Sequence, residues 1–126
     1  MSLLSAFTTQ IVQFFEELAV TIPEEKDIKM ALEAIKGAKK INPRLILELF
    51  HEHIYKDLKQ AILDTNKEEI IKYGRKKIEG QFNEIMPAIT LFDKHWDTLS
   101  LTTQEAIWKY LKVLCILCER IMLTRA

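Results

Sequence analysis

The sequence predicts an all-α fold: one helical domain over residues 1–126, a compact bundle of about six helices around an apolar C-terminal helix. Three observations carry that prediction. Apolar residues recur at spacings of three and four along almost the whole chain, and no strand-like alternation appears. Helix-start and helix-stop signals punctuate that pattern at regular intervals. The last segment, Leu101 to Met122, is apolar around too much of its circumference for an ordinary surface helix.

The first helix carries Phe7, Ile11, Phe14, Phe15 and Leu18 on one face, with Ser5 as its predicted N-cap. Thr21-Ile22-Pro23 stops it. Pro23 then suits the opening position of a second helix whose first turn is acidic, with Glu24, Glu25 and Asp27. Ile28, Ala31, Leu32, Ile35 and Ala38 form that helix's buried face, and Gly37 with Lys39-Lys40 marks its end. Asn42-Pro43 starts a third helix, which carries Leu45, Ile46, Leu49 and Phe50 and runs or bends near Tyr55 into Leu58, Ala61 and Ile62. Asp64-Thr65-Asn66 makes a turn. A short helix from Lys67 to Tyr73 ends at a Gly74 C-cap. Ile78, Phe82, Ile85, Ile89, Phe92 and Trp96 form the next stripe, and Pro87 inside it calls for a kink or a joint between helices.

The final helix opens with a predicted capping box, Thr102 to Glu105. Ile107, Leu111, Leu114, Cys118 and Ile121 make its central stripe. Trp108, Cys115 and Met122 lie on one flank, and Tyr110, Val113 and Leu117 on the other, so the apolar arc covers roughly 220°. Lys109, Lys112, Glu119 and Arg120 mark the wet side, which Ile116 interrupts. Such a helix is expected to be enclosed by its own bundle or by a partner's groove.

Composition narrows the class of function. The 18 basic and 18 acidic residues cancel, which argues against general attraction to nucleic acid or acidic membranes. The N-terminus lacks the basic region of a signal peptide, and no apolar run is long enough to span a bilayer, so the expected location is intracellular with no membrane association. Two cysteines three apart on one helix do not make a disulfide framework.

Three segments occur together: Ile22-Pro23-Glu24-Glu25-Lys26-Asp27-Ile28, Ile41-Asn42-Pro43-Arg44 with Leu49-Phe50, and Glu105-Ala106-Ile107-Trp108-Lys109-Tyr110-Leu111-Lys112-Val113-Leu114. Their order and spacing resembles a family of small, uncharacterised all-helical proteins of nucleocytoplasmic large DNA viruses, over most of the chain. The resemblance implies expression inside an infected cell, in host cytoplasm or nucleus, with packaging in the virion as an alternative. It supplies no activity, cofactor or functional residue. The chain departs from the family pattern after Tyr55, where Lys56-Asp57-Leu58 continues the helix.

No catalytic set emerges from the residue pattern. Cys115-Ile116-Leu117-Cys118 has redox spacing but lies deep in a helix, away from the N-terminal amides that stabilise a thiolate, and zinc would need two further ligands. His51 and His53 point roughly 200° apart on a helix and do not chelate one ion. There is no Gly-x-Ser-x-Gly and no glycine-rich phosphate loop. The expectation is therefore a non-catalytic protein without cofactor or metal. It would act by burying an apolar helix face against another protein or a second copy of itself, with Trp96, Trp108 and Ile116 as candidate interface residues. The alternative is an accessory nucleic-acid-binding factor that contacts phosphates through Lys72, Arg75, Lys76 and Lys77.

Overall fold

The computed structural model describes residues 2–78 and 86–124, apart from the side chains at 77, 78 and 86. Among these residues there are helices and no strand: α1 (Leu3–Thr21), α2 (Lys26–Ile41), α3 (Pro43–Phe50), a π-helical turn (His51–Tyr55), α4 (Lys56–Leu63), α5 (Lys67–Ile78), α6 (Met86–Lys94), a 3-10 turn (Trp96–Thr98) and α7 (Leu101–Thr124). The all-α architecture is the predicted one. Because α3, the π turn and α4 run on without interruption, the described residues form six rods. The expected stripe positions Phe82 and Ile85 lie outside the described residues.

Several predicted boundaries move, each for a local reason. The Ser2 hydroxyl, not Ser5, caps α1 by accepting from the Ser5 amide at 3.0 Å. Pro23 does not open α2. It sits at the second position of a turn closed by the Glu25 amide on the Ile22 carbonyl at 3.1 Å, a position its fixed φ suits, and α2 begins at Lys26. Gly74 is not a C-cap. It is buried inside α5, where an added Cβ would stand 3.1 Å from Ile89 Cγ2, so glycine permits the close approach of α5 and α6. Thr102 does not cap α7. The helix starts two residues earlier, with the Ser100 hydroxyl accepting from the Thr103 amide at 3.2 Å.

The π turn answers a conflict in the sequence. Phe50, Ile54, Leu58 and Ile62 are all buried, at successive spacings of four. In a regular α-helix each such step overshoots the face by about 40°. The wider π turn takes back part of that drift and keeps one rod against the core.

The core lies between α1 and α7, with α2 and α3 against α1, and α4 and the π turn against α7. Phe14 stacks on Tyr110, Phe7 meets Phe50, and Tyr55, one π turn beyond Phe50, reaches Glu119; α1 and α7 therefore run antiparallel. Ile107, Leu111, Leu114, Cys115, Cys118 and Ile121 are buried, whereas the flanks Trp108, Tyr110, Val113, Leu117 and Met122 are half-buried. The enclosed arc of α7 is thus narrower than its sequence predicts, and Leu101, Ile116 and Leu123 face outward.

A candidate interaction face on α2

The four residues that bury α2 are Ile28, Ala31, Leu32 and Ile35. On the opposite side stand Met30, Ala34, Gly37 and Ile41, all exposed. Their spacings of four, three and four bring them into an arc of about 60°. Met30 is 69% exposed and Ile41 88% exposed. No charged residue falls within this strip; Lys26, Glu33 and Lys40 line one edge of it. The pattern is the alternating spacing of a coiled-coil seam that lacks its second helix.

Gly37 separates this face from the rest of the molecule. An interior glycine destabilises a helix by roughly 0.5–1 kcal/mol relative to alanine. Gly74 repays that cost inside the fold through its approach to Ile89, but a Cβ at Gly37 would meet nothing within 4 Å. The monomer makes no use of the missing side chain. Glu33 and Lys40 likewise form no ion pair with any described residue, unlike the neighbouring Lys36, which faces Glu16 at 3.9 Å.

The residues singled out from sequence are distributed otherwise. Trp96 is 7% exposed and belongs to the core. It stacks on Phe92 at 4.6 Å and meets Trp108 edge-on at 5.4 Å, and Trp108 also tilts against Phe92 at 5.2 Å. The two tryptophans therefore close the joint between α6 and α7 and offer a partner little surface. Ile116 is 49% exposed, but the outer face of α7 around it carries Lys109, Lys112 and Arg120.

The basic set on α5 is split. Both Arg75 guanidinium contacts go to Asp93 at 2.8 Å, and that pairing holds the Asp93 carboxyl below its usual range. Lys72 and Lys76 edge a groove of about 310 Å³ between α4 and α5, opposite Asp57 and beside Glu69. The Lys77 side chain lies outside the described residues.

Polar straps between rods account for most of the other exceptional side chains. Glu119 accepts from the Tyr55 hydroxyl at 2.8 Å and from Lys59 at 2.7 Å, and Lys59 is the larger cause of its lowered pKa. Glu17 accepts from Tyr110 at 2.9 Å. Burial, then this glutamate, pushes the Tyr110 hydroxyl up to about 12. His95 and Glu25 lie 2.8 Å apart and join the end of α6 to the start of α2. Tyr73 donates to the His53 carbonyl within the π turn. Burial also pushes the Cys115 and Cys118 thiols up to about 12, the opposite of what redox or metal chemistry asks of a thiolate.

Among the described residues these features define a helical bundle with an uncovered apolar strip on α2. Comparison with known proteins finds no matching family model, no matching curated protein and no matching solved structure. No helix among the described residues is long and apolar enough to cross a membrane.

Sequence reasoning missed the α2 face because it assigned α2 by its buried stripe and took Gly37 as an end signal. The signal was nevertheless present: Met30 and Ile41 are large apolar residues on what that stripe makes the wet side.

Proposed function

We propose that the protein is a non-catalytic interaction protein that docks a helix of a protein partner on the outer face of α2. The observation that carries this reading is the uninterrupted seam Met30, Ala34, Gly37 and Ile41, exposed along a helix whose other side is in the core. Single exposed hydrophobics are normal on a protein surface, and Val20 on α1 is one of them. A row at coiled-coil spacing with a glycine that its own fold does not require is different. The resemblance to proteins of large DNA viruses favours a partner met in an infected cell or its virion. The nucleic-acid alternative is weakened by the commitment of Arg75 to Asp93 and by the acids facing Lys72 and Lys76.

A photo-crosslinking residue at position 30, with one at position 20 as control, tests this reading. Covalent capture of a protein from position 30 and not from position 20 is expected, with loss of capture in a Gly37→Lys background. Equal capture from both positions, or none from position 30, would sink it.

A further inference from the structure

Resting on that reading, we infer that the helix docking on α2 is α2 of a second copy, paired antiparallel about a two-fold axis between Ile35 and Lys36. Such an axis places residue numbers that add to about 71 opposite each other. Met30 then meets Ile41 of the second copy, and Ala34 meets Gly37 of the second copy, each contact occurring twice. Large apolar residues thus close both ends of the seam, and the smallest side chains lie at its centre, where the backbones come closest. This explains a glycine whose absent Cβ would meet nothing in its own fold.

Charge selects the orientation. Glu33 and Lys40 lie on the same edge of α2, seven residues apart, and neither has an ion-pair partner among the described residues. Antiparallel pairing brings Glu33 against Lys40 of the second copy, again twice. Parallel pairing would turn the Glu33–Lys40 edge of one copy toward the opposite edge of the other, so neither charge would gain this partner. Lys26 and Lys29 fall opposite positions past Ile41, where α2 of the second copy has ended. Lys36, nearest the axis, turns toward Glu16 of its own chain.

The seam is short. From Met30 to Ile41 it spans about 17 Å of helix, well short of the roughly 800 Å² per partner of a standard interface. The dimer is accordingly weak and concentration-dependent, as suits a contact that other binding events reinforce.

The test is the solution mass of the full chain across a concentration series reaching about 1 mM, chosen for so small an interface. A monomer–dimer equilibrium is expected. Gly37→Lys should abolish the dimer while raising the melting temperature of the monomer, because lysine is the better helix former and position 37 is open. That pairing of effects separates loss of the interface from loss of the fold. Glu33→Lys or Lys40→Glu alone should weaken dimerisation about tenfold, and the two together should restore it.

A dimer indifferent to Gly37→Lys, or a double exchange that restores nothing, would overturn the inference. So would a monomer at every concentration. If that monomer still captures a different protein through position 30, the docking reading stands and self-pairing alone is lost; if it captures nothing, both are lost.

Discussion

Two glycines show how far a residue can be read before its neighbours are known. From sequence alone Gly37 and Gly74 both look like helix terminators, because glycine is weak in helices and favours C-caps. The structure puts both inside helices and gives them opposite surroundings, open space at Gly37 and Ile89 at 3.1 Å from Gly74. Gly37→Ala should therefore stabilise the monomer by up to about 1 kcal/mol, and Gly74→Leu should destabilise it by about 1–3 kcal/mol, as read from urea unfolding at low protein concentration. Equal effects would contradict this contrast. Core residues were easier to read: Phe7, Ile11, Phe14, Phe15 and Leu18 are buried as their spacing predicts, since burial of a stripe needs no knowledge of what covers it. The thiols give a second prediction. With Cys115 and Cys118 buried and pushed up to about 12, neither should react with an alkylating reagent at neutral pH until the protein unfolds. Rapid labelling of the native chain would show that the face of α7 bearing them is open.

At the scale of elements, existence was legible and edges were not. All the described rods coincide with periodic apolar segments, but α1, α2 and α7 start where capping and turn chemistry place them rather than where the first favourable motif occurs. The start of α7 can be tested directly. Ser100→Ala should destabilise the protein by about 1 kcal/mol, whereas Thr102→Ala should leave it nearly unchanged. The reverse order would favour the Thr102 capping box. The π turn was legible only as a bend near Tyr55, because π geometry depends on which face the later residues must bury. Tyr55 and Lys59 then bind Glu119 across to α7. Glu119 has its pKa lowered in the folded state, so its contribution is fully present above the ordinary glutamate value of about 4.5 and is lost as pH falls through the lowered value. The stability lost on acidification below about pH 4.5 should be smaller in Glu119→Gln than in the parent chain. Identical acid profiles would mean that the strap carries no linkage.

For the whole molecule, the sequence pointed to an interaction protein through the apolar excess of α7, and the structure moves the available surface to α2. The reason is geometric. Because α7 lies along α1, the π turn and α4, most of its apolar arc is half or fully covered, and Trp96 and Trp108 are used with Phe92 to hold α6 against it. Helix α2 packs against α1, α3 and α6 from one side, which leaves Met30, Ala34, Gly37 and Ile41 open. Periodicity reports how much apolar surface a helix has, but not which neighbours arrive to cover it. Self-pairing through the α2 seam is the central claim, and backbone amide NMR spectra recorded over a dilution series test it most directly. The predicted result is concentration-dependent shifts concentrated at Met30, Glu33, Ala34, Gly37, Lys40 and Ile41. Shifts gathered instead around Ile116 and Leu123 on α7, or no shifts at any concentration, would contradict it.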